Sequence, residues 1–380
     1  MNEDPLGDLD TPCLLLDQAQ LETNAAMMLD VAARKGVRLR PHVKTSKCLE
    51  VAEIATGGRR EGLTVSTLAE AEFFARGGFR DILYAVGVSA NKFSRIANMI
   101  RDHDADLVLV TDSIDVAEAA AEFTETTGTR FRIAIEIDCG EHRGGIPPDD
   151  PMVLRLAQCL DQAPGISFAG VMTHAGQSYW YNDNAEHRRV AREEVAAVTG
   201  PAEQIRALGI AVDMVSIGST PTVLFGEDFS GVTEVRAGVY VFFDVSQIAR
   251  NACTRDDLAV SVLSTVIGHN RAGLSVLLDA GGLALSKDLG APVFMSDAGY
   301  GQVCDAETLR QYGALIVEAV HQEHGTVPVP DEGWFERLPI GSLVRILPNH
   351  VCMTAAAHDR YVVLDKTGTP SAEWERTRGW

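Results

Sequence analysis

The chain has 380 residues, 46% of them apolar, which is long for one ordinary domain and enough for two cores. Its 53 acidic side chains against 33 basic ones give a net charge of −20, a field that repels the phosphates of nucleic acid and of anionic membranes and excludes both as main partners. The seven cysteines (13, 48, 139, 159, 253, 304 and 352) are odd in number and lack C-x-x-C spacing, which argues against a disulfide framework. The start, "MNEDPLGDLDTPCLLLD", is acidic and lacks a basic segment leading into an apolar one, and no apolar run approaches the length of a membrane span, so the protein is expected to be cytoplasmic.

In chain order, "TPCLLLD" (11–17) reads as a strand and "QAQLETNAAMMLDVAARKG" (18–36) as a helix. From residue 37 to about 242, β-rich runs alternate with helix-periodic ones. Strands are predicted at 37–44, 62–66, 81–86, 106–112, 130–138, 166–174, 212–218 and 234–242. The stretches between them, such as "STLAEAEFFARGG" and "SIDVAEAAAEFTETTG", begin on capping residues and end on glycine. Eight strands with intervening helices in this length point to an α/β fold, a closed (β/α)8 TIM-type barrel, with an open doubly wound sheet as the alternative. After about residue 250, runs such as "LAVSVLSTVIGH" and "GSLVRILPNHVC" are β-branched and separated by turn residues, the texture of a smaller, mostly-β domain. The expected division is a barrel over 25–245 and a β-domain over 246–380, with the strand in 1–24 pairing into the latter.

In a barrel of this kind the reactive face lies at the carboxyl ends of the strands. Polar residues interrupt the predicted strands there: Lys44, Ser66, Asp138 with Arg143 beyond it, His174, Ser219 with Thr220, and the set Arg236, Gly238 and Tyr240. Any one of them alone is more readily a hydrogen-bonded rim residue, but six of eight strands ending this way point to a shared polar pocket. A lysine directed into a barrel loses hydration, which favours the neutral amine that attacks carbonyl groups. By spacing alone, a surface lysine just past the strand is an equally good reading of Lys44. "SIGSTPT" (216–222) and "RAGVY" (236–240) offer glycines and hydroxyls on consecutive strands, at the place where this fold commonly binds phosphate.

Taken together and in order, "TPCLLLD", "RPHVKTSK", "THAGQSY", "GSTPT", "RAGVYVF" and "PNHVC" resemble the D-serine dehydratase, D-threo-3-hydroxyaspartate dehydratase and D-threonine aldolase branch of the alanine-racemase-fold (fold-type III) pyridoxal-phosphate enzymes. The resemblance covers nearly the whole chain. It implies pyridoxal 5'-phosphate bound covalently to Lys44, its phosphate on Thr220, Gly238 and Val239 with Ser219 beside them, and its ring flanked by His174 and Tyr179. Arg143 would lie near the phenolic oxygen, with Ser66 and Tyr240 close to the cofactor. Arg40 and His42, on the same face as Lys44, read as supports for its surroundings. The resemblance further implies a homodimer in which the β-domain reaches the partner's barrel.

"PNHVC" sets His350 and Cys352 two residues apart, on one side of what reads as a strand. Read without the family, this is as well a polar turn with a buried cysteine. An imidazole and a thiolate also suit a divalent metal, zinc first, with manganese and cobalt as alternatives. By resemblance, the His-x-Cys pattern belongs to members that eliminate water, and those that cleave a carbon–carbon bond show His-Cys-Asp. The function implied is a dehydratase (ammonia-lyase) acting on a 3-hydroxy-D-amino acid, D-serine or D-threo-3-hydroxyaspartate, to give a 2-oxo acid and ammonia. The alternatives are a D-threonine or 3-hydroxyaspartate aldolase, or a non-catalytic pyridoxal-phosphate carrier. Lys47 is expected on the first exposed turn of a helix.

Overall fold

The computed structural model describes residues 5–291 and 293–380, and the chain divides into two compact units. One comprises Ala26–Gly238 with Thr377–Trp380, and the other the N-terminal segment to Ala25 with Val239–Arg376.

After β1 (Cys13–Asp17) and α1 (Gln18–Arg34), the first unit holds eight parallel strands: β2 (Arg38–Leu39), β3 (Leu63–Val65), β4 (Asp81–Gly87), β5 (Asp106–Thr111), β6 (Phe131–Glu136), β7 (Ile166–Met172), β8 (Met214–Ile217) and β9 (Glu234–Val235). They are hydrogen-bonded in the order β2-β9-β8-β7-β6-β5-β4-β3. The ends of that order meet: His42 bridges Thr64, with Val43 N donating to Thr64 O and Thr64 N donating to Pro41 O, both at 2.9 Å. The eight predicted strands are thus present and the sheet closes on itself. Helices α2 (Leu49–Ala55), α3 (Leu68–Arg76), α4 (Phe93–His103), α5 (Ile114–Thr127), α6 (Met152–Gln162), α7 (Asn184–Ala207) and α8 (Thr220–Phe225) follow successive strands. Their starts show why they form where they do, since Thr67, Ser113 and Asp183 each accept a backbone N–H of the first turn, and Gly128 ends α5 in the left-handed conformation.

The strands are shorter than the sequence suggests at the two places where the backbone turns into the cavity. Past Leu39 the predicted run 37–44 keeps only the bridge at His42, because Lys44 lies in a turn. The predicted run 234–242 stops at Val235 and gives way to a 3-10 turn at Val239–Val241.

The barrel interior has two faces. One is an apolar cluster of Leu83, Val108, Val110, Ala134, Ala169, Met172 and Met214. The other is charged. Buried Glu234 accepts from Arg40 Nε at 2.8 Å and from Arg38 Nη2 at 2.5 Å, and Arg40 Nη1 also reaches Asp81 Oδ1 at 2.7 Å. Arg40 therefore belongs to this ion-pair network rather than to the surroundings of Lys44.

The second unit carries a sheet in the order β13-β12-β16-β10-β1-β17-β18, built from β1 and β10 (Val260–Asn270), β12 (Gly301–Asp305), β13 (Gln311–Ile316), β16 (Leu343–Pro348), β17 (Arg360–Leu364) and β18 (Pro370–Glu375). Strands β11 (Ser275–Leu278), β14 (Ala319–Val320) and β15 (Gly325–Pro328) branch from β10. The N-terminal strand β1 pairs antiparallel with β10 and parallel with β17, and Leu15, Leu263 and Val362 pack in its core. Among the described residues no helix is long and apolar enough to cross a membrane.

Burial alone would raise the Glu234 carboxyl, but Arg40 and Arg38 outweigh it and bring it from 4.5 to about 2. A carboxyl depressed in the folded state contributes stability that is complete above the unfolded value, near 4.5, and is lost as pH falls through about 2. Glu234→Gln is expected to cost about 3 kcal/mol at neutral pH by leaving buried Arg40 with Asp81 as its remaining anion. It should also flatten the loss of stability between pH 4.5 and 2. Urea midpoints measured across that range read both, and a neutral-pH midpoint equal to that of the unaltered protein would contradict the expectation.

Candidate active site

A cavity of about 500 Å³ opens at the carboxyl ends of the barrel strands, lined by His42, Lys44, Ser66, Asp112, Glu136, Arg143, His174 and Arg236 among others. Four of the expected site residues, Lys44, Ser66, Arg143 and His174, are thus on one wall system although they come from four different strand ends. Lys44 stands open to the cavity rather than enclosed by protein, which departs from the expectation of a desolvated amine. Its backbone N–H donates to His42 Nδ1 at 3.4 Å.

The two imidazoles at this end are neutral. Burial, then the positive charges of Lys44 and neighbouring arginines, push His174 down to about 3 and His42 well below its usual range. His174 Nδ1 is hydrogen-bonded to the carbonyl oxygen of Gly218, which ties the turn after β7 to the turn after β8. The same two turns meet on Glu194, a buried carboxylate of α7 whose Oε1 accepts from Ala175 N (3.0 Å) and Gly218 N (2.9 Å); burial raises its pKa. Sequence reading had no access to Glu194, which is one acidic residue among several on a polar helix.

Lys47 is not on an exposed helical turn. It adopts a left-handed backbone conformation ahead of α2, and its ammonium pairs with the buried carboxylate of Glu70 at 3.1 Å. Glu70 Oε2 in turn accepts from Ser66 N at 2.8 Å, so this ion pair joins the turn that carries Lys44 to the end of β3. Arg143 reaches the cavity from a loop shaped by Asp138, whose Oδ1 accepts from Gly140 N and His142 N, and by Asp112, which accepts from Gly145 N. Gly145 has φ +95° and a side chain there would meet Asp138 N at 2.7 Å, so only glycine closes this loop.

Ser219, Thr220 and Gly238 lie at the ends of β8 and β9, outside the cavity wall but joined to it through Gly218 and His42. The Ser219 hydroxyl is occupied in capping α8, where it accepts from Thr222 N, and pairs with Ser178 Oγ at 2.8 Å. Thr220 Oγ1 is different. It is buried and has no hydrogen-bond partner among the described residues. Gly238 lies so close to the preceding turn that a Cβ would sit 2.8 Å from the carbonyl oxygen of His42. Tyr179 is half-buried in the 3-10 turn Gly176–Trp180, and Val239 and buried Tyr240, whose hydroxyl lacks a partner among the described residues, follow Gly238 in the chain. An orphaned hydroxyl, glycine at the ends of β8 and β9, and an accessible amine fit a phosphorylated aldehyde cofactor bound through Lys44.

Arg236, expected among the polar strand ends, and His42, expected beside Lys44, both line the cavity, and Glu136, which no sequence signal singled out, joins them. Glu136 is raised by burial despite nearby Arg143.

In the second unit, His350 and Cys352 are close, though not on a strand: β16 ends at Pro348, His350 precedes the short helix α12 (Val351–Ala356), and Cys352 lies in its first turn. Asp288, which sequence spacing gave no reason to choose, holds His350 Nδ1 at 2.6 Å. Burial would depress this imidazole, but Asp288 and the Cys352 thiol override it and push it up to about 11. A histidine whose Nδ1 is held by a carboxylate, standing beside a thiol, is a donor set suited to a divalent metal once the ring and the thiol give up their protons. No cluster of three or more such ligands is found among the described residues.

A closed parallel barrel with an accessible amine, an orphaned hydroxyl and a close glycine approach at its carboxyl end, followed by a β-unit, defines a chain of the alanine racemase class. The protein belongs to that family: residues 16–246 match the alanine racemase N-terminal domain, and residues 259–364 match a serine dehydratase domain. It is 41% identical to D-threo-3-hydroxyaspartate dehydratase of Delftia sp. over the whole of both chains, and the solved structure of that protein superposes with a TM-score of 0.95 over 99% of each chain. It is 30% identical to D-serine dehydratase of Dictyostelium discoideum, over 100% of this chain and 99% of the relative. It is also 30% identical to D-threonine aldolase of Arthrobacter sp., over 98% and 93% respectively. Solved structures similar to this chain also include a histidine-to-alanine variant of a D-threo-3-hydroxyaspartate dehydratase and a cysteine-to-alanine variant in the metal-free form, the two changed positions lying two residues apart.

Gly238→Ala is expected to force the His42 turn away from β9, to cost about 1–3 kcal/mol, and to weaken binding of pyridoxal phosphate to the apo-protein. Thermal melts and a fluorescence titration with the cofactor check both, and wild-type affinity in the variant would show that the close approach is unrelated to the cradle.

Proposed function

We propose that the protein is a dehydratase, dependent on pyridoxal phosphate and a divalent metal, that removes water from a 3-hydroxy-D-amino acid and releases a 2-oxo acid and ammonia. D-Threo-3-hydroxyaspartate and D-serine are the substrates proposed. The observation that carries this reading is the pairing of an accessible Lys44 with an orphaned, buried Thr220 hydroxyl at the carboxyl end of the barrel, in a chain that also holds His350 and Cys352 together.

When bound, pyridoxal phosphate supplies an electron sink for negative charge at the substrate's α-carbon. Thr220, Gly238 and the backbone of Val239 are read as holding its phosphate, Arg143 and Arg236 as facing the polar atoms of its ring, and His174 and Tyr179 as flanking it. His174 does this as a neutral ring whose orientation is fixed by its bond to Gly218 O, so it brings no competing charge. Lys44 would hold the cofactor, and its Nζ would be the base that takes the substrate's α-proton. His350 and Cys352 would hold a divalent ion, whose Lewis acidity would stabilise the negative charge on a departing β-hydroxyl. Zinc suits an imidazole and a thiolate best, with manganese and cobalt as alternatives. Asp288, by holding His350 Nδ1, would orient the ring for that role, and the metal-free form of the cysteine variant of a similar dehydratase supports the assignment.

Borohydride reduction followed by peptide mass mapping is expected to fix the cofactor to Lys44, and Lys44→Ala is expected to abolish turnover. With D-serine and with D-threo-3-hydroxyaspartate the protein should release ammonia and an oxo acid, and EDTA or Cys352→Ala should remove at least 10²-fold of that activity. Glycine and an aldehyde as the products would make it an aldolase and overturn the reading.

A further inference from the structure

Arg236 presents a buried guanidinium to the cavity, and among the described residues no carboxylate lies within ion-pair distance of it. Its negative counterpart reaches it through one hydroxyl. Ser216 Oγ donates to Glu234 Oε1 at 2.8 Å and accepts from Arg236 Nη1 at 2.7 Å, and all three side chains are buried. Arg236 Nη2 is anchored separately on the carbonyl oxygen of Thr173. Glu234 is itself immobilised by Arg40 and Arg38.

A serine hydroxyl has one proton to give, so donation to the carboxylate turns its lone pairs toward the guanidinium and sets the polarity of the chain. We propose that Ser216 and Glu234 are positioning residues that fix the plane of Arg236, so that the cavity offers a preset hydrogen-bond donor to the cofactor ring. The inference rests on the cofactor reading given above. It explains why a barrel whose other face is packed with aliphatic residues keeps a serine at this depth. Met214, the neighbouring inward residue of the same strand, belongs to the apolar cluster, whereas Ser216 leaves it.

The test uses Ser216→Ala, Ser216→Thr, Arg236→Met and the double variant Ser216→Ala/Arg236→Met. Ser216→Ala is expected to weaken binding of pyridoxal phosphate to the apo-protein by about 10- to 100-fold, the size of one lost hydrogen bond to a charged group. It should also shift the absorption band of the bound cofactor. Ser216→Thr, which keeps the hydroxyl, should restore both. In the Arg236→Met background, Ser216→Ala should have little further effect on affinity, because the hydroxyl acts through the guanidinium. Equal losses in thermal midpoint for apo- and holo-protein, with affinity and spectrum unchanged, would make Ser216 a packing residue and overturn the inference alone. Absence of a borohydride-fixed label on Lys44 in the unaltered protein would overturn the cofactor reading and this inference with it.

Discussion

The barrel depends on a carboxylate that has no access to water. The ladder between β2 and β9 pairs Arg38 with Glu234 and Leu39 with Val235, and the N–H groups of Arg38, Arg40 and His42 donate to the carbonyl oxygens of Thr233, Val235 and Ala237. Glu234 adds to that ladder by drawing in two arginines of the neighbouring chain segment, both of which also hold Asp81 on β4. A buried carboxylate alone would be costly, and a buried guanidinium likewise. Arranged as a network, each satisfies the other's hydrogen bonds, and the geometry is fixed more sharply than apolar packing would fix it. The same carboxylate turns toward the cavity through Ser216, so the interaction that closes the barrel also orders the floor of its site.

The acidic surplus therefore does more than keep nucleic acid away. Several carboxylates are spent inside the first unit as acceptors for the backbone of strand-end turns: Glu70 for Ser66, Asp112 for Gly145, Asp138 for Gly140 and His142, and Glu194 for both Ala175 and Gly218. Loops at the mouth of a barrel lack the ladder bonds that hold strands, and a fixed acceptor replaces them. Each turn so held carries, or adjoins, a residue that faces the cavity. In the second unit Asp244 does the same for Val351, beside His350.

Much of this was legible in the chain. Alternating β-rich and helix-periodic runs gave the number and order of the strands, because a strand buried on both sides must be apolar and a helix on its outer face must be amphipathic. Polar interruptions at the last positions of those strands marked Lys44, Ser66, Arg143 and His174, which share a cavity. Other features were hidden because they depend on partners distant in sequence. Arg40 read as a neighbour of Lys44 on the same face, and nothing local revealed that Glu234, far along the chain, claims it. Lys47 resembled an exposed helical lysine until Glu70 came within 3.1 Å. Asp288 sits in a loop with no periodicity, and only the fold brings it to His350.

By itself, then, the sequence determined which segments are strands and helices, that the barrel would be followed by a β-rich unit, and which residue types stand at the reactive ends, since these follow from local hydrophobic period and from where an apolar run is broken. The tertiary structure decided which charges pair, which hydroxyl is left unsatisfied and which is consumed in a helix cap, and how closely Gly238 approaches His42. The physical reason is range. Periodicity and capping act over a few residues, whereas desolvation and hydrogen-bond completion are settled only when segments hundreds of residues apart are packed against one another and denied water.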